Sequence, residues 1–280
     1  MGKNTEQNSY LKAINNIEKN KIKYAGIDIG ENNLMAVFVD DETTKSLLVD
    51  GKPFKDYDKM VNEIIDYLNE LKSKEMLDCK TSKTETNYTV KNTDKSKNID
   101  RLINFLHTNR RKFLHERFNI MSRYVIEYLH LHGVTDLFIS NRLANHTFLK
   151  IPFKILLQCI KYNAQEYGIT VHDDIDERYT SKASCISDDV KSAQKNPKLA
   201  DTFNGKRKGD SFHDKAINKR FNADLNAAVN HIIVGTGKSF AWLKEKMFKL
   251  CNPIKIKSEN KFRKLLDELK SSKEGKTNET

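Results

Sequence analysis

The chain has 280 residues, 31% of them charged and 38% hydrophobic, with a formal net charge of +11. That length holds one large or two small domains with an ample core, and the positive balance favours a polyanionic partner such as nucleic acid. No apolar run approaches the ~20 residues that cross a bilayer, and residues 1–10 hold no signal-peptide core, so no membrane partner is expected and a cytoplasmic location is. The four cysteines (Cys79, Cys159, Cys185, Cys251) are far apart and never form a CxxC pair. This argues against a disulfide framework or a zinc ribbon and fits a reducing compartment.

In chain order, residues 1–21 are polar with sparse apolar positions and read as a tail. Tyr24 to Ile29, the turn Gly30-Glu31-Asn32-Asn33, and Leu34 to Val39 then read as a β-hairpin. Asp28 sits inside its first strand, where a carboxylate is costly unless paired, neutralised or bound to a cation. The glycines beside it leave room for a ligand or another backbone. Asp28 is therefore either a metal- or phosphate-site residue or a turn-proximal Asp with local hydrogen bonds. Ser46 to Val49 reads as a third strand, closed by Asp50-Gly51-Lys52-Pro53.

Met60, Ile64, Leu68 and Leu71 recur at helical spacing and predict a helix from Asp56 to about Ser73. Residues 75–98 are rich in Thr, Lys, Asn and Ser and read as a mobile loop. A long helix is predicted from about Ile99 to His132, with Leu114, Phe118, Met121 and Val125 on one face. Arg110, Arg111 and Lys112 lie on the other, which is either a solvated face or a phosphate-contacting ridge. Gly133 ends it, Thr135 to Ser140 is a short strand, and a loop with Arg142 leads to Pro152 at the start of a helix that Gly168 closes. Ile169 to Ile175 is a further strand, followed by Glu177. Residues 183–221 lose periodicity, with Lys206, Arg207 and Lys208 as the most basic knot.

Asn222 to Asn230 opens a helix that Gly235 is expected to cap. Beyond it, residues 236–280 read as a helical, charged tail. The segment Val234-Gly235-Thr236-Gly237-Lys238-Ser239 imitates the end of a phosphate loop. Ile232 stands where the first glycine belongs, however, and a helix precedes it rather than a strand. Strands alternating with helices predict an α/β mixed sheet.

Three carboxylates stand out by position: Asp28 in a strand, Glu177 at the end of a later strand, and Asp224 in the first turn of a helix. Hard oxygen ligands from separate elements suit Mg²⁺, and two such ions can assist phosphodiester hydrolysis. Each has a plainer reading, since strand-end carboxylates are usually solvated and an Asp at a helix N-terminus meets the dipole for under ~1 kcal/mol.

GIDIGENNL at 26–34, VDGKPFK at 49–55, IPFKILLQCIKYNAQEYGITV at 151–171, ERYTSK at 177–182, FNGKRKG at 203–209 and NADLNAAVNHI at 222–232 occur in order. Together they resemble the RuvC nuclease domain of the TnpB/OrfB family of transposon-encoded, RNA-guided DNA endonucleases, relatives of Fanzor proteins and type V CRISPR effectors. The resemblance covers residues 22–235 and implies an RNase H-like fold with flanking helices. It implies Asp28 as first acidic ligand and Asp224, in the D-x-N-A-A pattern, as third. Most of the family carries a Glu at the end of the strand that here reads Leu137 to Asn141. A branch places it on the next strand before Tyr-Thr-Ser-Lys, which selects Glu177. The family's zinc ribbon would fall between Thr180 and Arg220, where no cysteine pair exists, so no zinc is expected.

The resemblance thus implies two Mg²⁺ ions, a DNA substrate and a guide RNA. Arg110, Arg111, Lys112, Arg142, Lys182, Lys206, Arg207 and Lys208 are the candidates for phosphate contact. The family's wedge and recognition region would precede the first strand, where about twenty residues stand, so either a separate chain supplies it as a partner, or the gene is truncated, or the boundary was cut. The alternative is a truncated or split DNA/RNA-binding subunit that does not cut. An actin-like ATPase or sugar kinase shares the fold core, but its Gly-rich phosphate and adenosine loops are missing.

Overall fold

The computed structural model describes residues 22–81, 94–142, 151–187 and 189–277. The segments 1–21, 82–93, 143–150, 188 and 278–280, which include the polar N-terminal tail, lie outside the described residues. Strands β1 (Tyr24–Ile29), β2 (Asn33–Val39) and β3 (Leu47–Asp50) pair antiparallel in succession. β4 (Asp136–Ile139) joins β1 in parallel, and β5 (Thr170–His172) joins β4 in parallel. With β9 (Ile254–Ile256) parallel to β3, the sheet order is β5-β4-β1-β2-β3-β9. Three antiparallel strands continued by two parallel ones, with helices on both faces, make an RNase H-like mixed sheet.

The period of two along β1 and β2 decides what each face does. Ala25, Ile27, Ile29, Met35, Val37 and Val39 point into one core. There they pack against α2 (Asp94–Leu131), α3 (Phe153–Glu166) and α7 (Glu259–Thr277). Ala36 and Phe38 point into a second core built with α5 (Ala223–Thr236). Gly26 and Asp28 share that second face. A Cβ at Gly26 would stand 1.9 Å from the carbonyl oxygen of Ala228, so the glycine is what seats α5 directly on β1. The backbone near Asp28 therefore makes room for another backbone, one of the two readings its glycines allowed.

Four expectations are corrected. Residues 75–81 and 94–98 are helical, because α1 (Lys52–Thr81) and α2 extend beyond the predicted bounds and shrink the loop. Helix α5 is capped by Gly237, with φ 75°, and not by Gly235. Gly235 lies in the last turn, where a Cβ would come within 2.2 Å of the Phe138 ring; its role is close packing. The stretch expected to lack periodicity contains α4 (Asp189–Lys195), a 3-10 turn, and an antiparallel ribbon of β6 (Gly205–Lys208), β7 (Ser211–Asp214) and β8 (Lys219–Asn222). Finally, residues 236–280 are not merely a tail. They supply edge strand β9, the short α6 (Phe248–Cys251), and α7, whose Phe262 and Leu266 are buried.

The ribbon is held by its own chemistry. Phe212 and Phe221 pack with ring centroids 5.3 Å apart, and Phe212 lies where any side chain at Gly205 would clash. The buried Ser184 hydroxyl donates to Asp214 Oδ2 at 2.5 Å, and Asp214 Oδ1 accepts from the amides of Ala216 and Ile217.

Candidate active site

Asp28, Glu177 and Asp224 line one cleft of about 220 Å³, together with Gly30, Ser140 and Arg207. Three unconnected stretches of sequence meet there for local reasons. Asp28 projects from β1 on the face covered by α5. Asp224 is fixed in the first turn of α5 by Asn222, whose side chain accepts from the amides of Asp224 (3.1 Å) and Leu225 (2.9 Å) as an N-cap.

The loop carrying Glu177 is clamped to the opposite side of the same helix. Asn226 Nδ2 donates to Ala183 O at 2.8 Å, and its Oδ1 accepts from Cys185 N at 2.9 Å. One turn on, Asn230 Nδ2 donates to Thr180 O (2.7 Å) and Ala183 O (2.9 Å). The sequence D-x-N-A-A-V-N thus has a division of labour. Its Asp faces the cleft, its alanines let the helix meet β1, and its two Asn, four apart, hold the segment behind Glu177. His231 adds a further tie, with Nδ1 2.9 Å from Ile27 O beside Asp28. Burial pushes its pKa down to about 4, against the upward pull of that hydrogen bond, so the ring is neutral and Nδ1 donates.

Each carboxylate has a different environment. Asp28 has its pKa raised well above the ordinary value, first by desolvation, then by the charges of Asp224 and Glu177, with Arg207 acting against them. Asp224 is engaged twice: Arg207 donates to Oδ1 at 2.6 Å and Asn33 Nδ2 to Oδ2 at 2.8 Å. Glu177 accepts a hydrogen bond from Ser140 Oγ. With those partners in place, no group of three His, Cys, Asp or Glu among the described residues forms a ready ligand set for a metal.

Of the basic candidates, Arg207 lies in the cleft itself. Lys182 and Lys206 line the adjoining depression, which shares Ser181 and Arg207 with the cleft. Lys208 is exposed on β6, and Arg142 is exposed just after Ser140, to whose Oγ its backbone amide donates. Arg110 is a correction. It pairs with the fully buried Asp58 of α1, Nε to Oδ1 at 2.6 Å. Removing one partner of such a pair costs about 3–5 kcal/mol, so Arg110 clasps two helices and does not wait for phosphate. Arg111 and Lys112 are exposed on α2, outside the lining of the cleft.

Sequence reasoning passed over Asn33 and Ser140. Asn33 was readable only as a turn residue. Ser140 follows β4 directly and donates to Glu177 across the cleft.

Residues 153–231 match the family model described as Cas12f1-like, TNB domain. That stretch runs from α3 through the ribbon to His231, and so includes both Glu177 and Asp224. Two solved structures are also similar to this chain. One is described as a cryo-EM structure of a CRISPR-Cas12f ternary complex, at 15% identity and TM-score 0.49, covering 75% of this chain and 38% of that one. The other is described as a cryo-EM structure of a Cas12f1–sgRNA–target DNA complex, at 13% identity and TM-score 0.44, covering 77% and 50%. This chain therefore spans half or less of the solved chains it matches. No curated protein matches it.

Proposed function

We propose that this chain is the metal-dependent nuclease portion of an RNA-guided DNA endonuclease, cutting phosphodiester bonds at the cleft of Asp28, Glu177 and Asp224. The observation that carries the reading is the charge imbalance: three carboxylates line one small cleft, and Asp28 is strained by the other two. Hard carboxylate oxygens, with Arg207 on Asp224 as their counter-charge, are the donor type that Mg²⁺ takes. Asp28, Glu177 and Asp224 would hold two ions, which supply the Lewis acidity that makes water a nucleophile and neutralises the departing oxygen.

The remaining parts belong to the protein. Ser140 and Asn33 orient Glu177 and Asp224. Arg207, at the border between the cleft and the depression lined by Lys182 and Lys206, is placed to hold a phosphate entering from that side. The ribbon is thereby a wall of the site, and its basic edge steers the strand.

The printed descriptions of the two matched structures name an sgRNA and target DNA as bound components. They motivate a guide RNA and a DNA target as partners here, with a separate wedge and recognition chain as a further proposed partner. A second reading, binding without cutting, has one observation in its favour: Arg207 already occupies an oxygen of Asp224, as a resting counter-ion would.

Incubation of the full chain with labelled DNA, with and without co-purified RNA, in Mg²⁺ and in chelator, separates the two. Cutting that needs Mg²⁺ and disappears in Asp28→Ala is expected. Undiminished cutting by Asp28→Ala removes the site from the reaction, and binding without cutting under every condition selects the second reading.

A further inference from the structure

Two further depressions lie beyond the cleft, toward the edge strand β9. Asn33, bonded to Asp224 in the cleft, also lines the next depression with Asn32, Asn222 and Lys255. That depression shares Asp50 and Lys257 with a third, of about 230 Å³, whose floor is Phe54, Phe113, Met121 and Ile256. Phe54, Met121 and Ile256 are buried, whereas Phe113 is only half-buried. Tyr57 backs the Phe113 ring at 4.0 Å between centroids. Arg117 lies 5.5 Å over the same ring and pairs with Glu259 at the rim, at 2.9 Å.

Lys255 on β9 and Lys257 just beyond it are exposed on either side of the buried Ile256. The path between cleft and apolar pocket is therefore flanked by two cations free of described ion pairs. Three strand spacings of about 4.8 Å separate β1 from β9, or about 14 Å, which a few nucleotides of extended strand can cover. The pocket is also smaller than the roughly 300 Å³ at which sites for drug-sized ligands begin. It suits one planar ring system with a charged backbone outside.

We infer that this apolar pocket takes a single unstacked nucleobase of the same DNA strand whose phosphodiester lies in the cleft, with Lys255 and Lys257 on the intervening phosphates. The inference rests on the nuclease reading for the identity of the strand. Its physics is that of single-strand binding in general, in which bases pack on aromatic rings while cations follow the backbone. The pocket would fix the strand's register relative to the cut without reading its sequence.

The test measures affinity in chelator, so that it does not depend on cleavage. The full chain is titrated with labelled single-stranded DNA carrying one abasic site, moved stepwise along the strand. For the unaltered protein one position should be sensitive, losing on the order of tenfold in affinity. Phe113→Ala should lose the same factor on the intact strand and nothing more on the strand abasic at that position. Phe113→Leu, which keeps apolar volume and removes the ring, should behave likewise if Phe113→Ala folds poorly. An unchanged affinity in both variants, or a loss that ignores the abasic position, overturns the proposal. So does the same pattern in an RNA ladder that binds more tightly than the DNA. Failure of the nuclease reading shows separately, as absence of cutting in Mg²⁺ with the abasic signature intact.

Discussion

Two aspartates stand at opposite ends of the β1–β2 pair, and the protein treats them in opposite ways. Asp41, just past β2, is surrounded by donors. Lys23 pairs with it at 2.6 Å, Thr44 donates from both backbone and side chain, and the buried Lys249 lies 3.5 Å from Oδ1. Although burial pushes its pKa up, the Lys23 and Thr44 hydrogen bonds and the Lys249 charge together hold it well below the ordinary range. Lys249 in turn donates to the carbonyls of Asp41 and Thr44 and sits 4.8 Å from the Phe38 ring. Burial brings it down to about 8, against the pull of Asp41.

Asp28 meets the reverse. Its nearest charges are two more carboxylates, with Arg207 alone opposing them. A carboxylate surrounded by donors holds a fold together; desolvation and two further carboxylates work against the charge of Asp28, a perturbation of the kind that clusters at functional sites.

The comparison is broken most forcefully at Asp28. Asp28→Asn should reduce cleavage on the order of a thousandfold, about 4 kcal/mol of activation free energy, while the melting temperature in chelator stays the same or rises. A substantial fall in melting temperature would make Asp28 a structural residue like Asp41. Asp41→Asn should do the converse, since it leaves Lys249 buried without its carboxylate. A loss on the order of 3 kcal/mol in denaturant unfolding is expected, with turnover in Mg²⁺ by the folded fraction unchanged. Ser184→Ala tests whether the ribbon behind the cleft is held without metal. It should cost about 1–2 kcal/mol, because Asp214 loses a buried donor, and a chelator should not lower the melting point of the unaltered protein.

The smallest expected difference is in the pH dependence of stability without divalent ions. The Asp28 carboxyl keeps its proton to higher pH in the fold than in the unfolded chain. Its contribution is complete below the unfolded value of about 3.9 and is lost as pH rises through the raised folded one. Asp41 contributes above that unfolded value and loses it as pH falls towards its depressed folded one. The stability of the unaltered protein relative to Asp28→Asn should therefore decline on raising the pH from about 4 to 8. Relative to Asp41→Asn it should decline on acidification below about 4. A flat first difference would mean that the three carboxylates do not repel one another.

Much of this was legible in the sequence where local physics dominates. The hairpin, the ends of helices at Gly133 and Gly168, both with positive φ, and the three acidic positions follow from patterns a few residues long. What escaped depends on partners far away in the chain. β9 is only three residues long, between Pro253 and Lys257, and becomes a strand only because β3 offers an edge about two hundred positions earlier. The ribbon strands are polar and very short, and only Phe212 and Phe221 mark their inner face. Arg110 looks like part of an exposed basic ridge until Asp58, fifty-two residues before it, is brought underneath. Gly235 and Gly237 are equivalent as letters, and only the Phe138 ring against one and the left-handed turn at the other tell them apart.

The contact of Gly26 with the Ala228 carbonyl carries a consequence for how the site can vary. With no side chain between β1 and α5, the gap across which Asp28 and Asp224 face each other is set by two main chains in touch. Side-chain substitutions nearby have little means of widening it by degrees. A methyl group at position 26 would prise the helix off the strand and spoil the spacing in one step, so tuning of this site is left to the walls of the cleft, above all to the ribbon that carries Arg207.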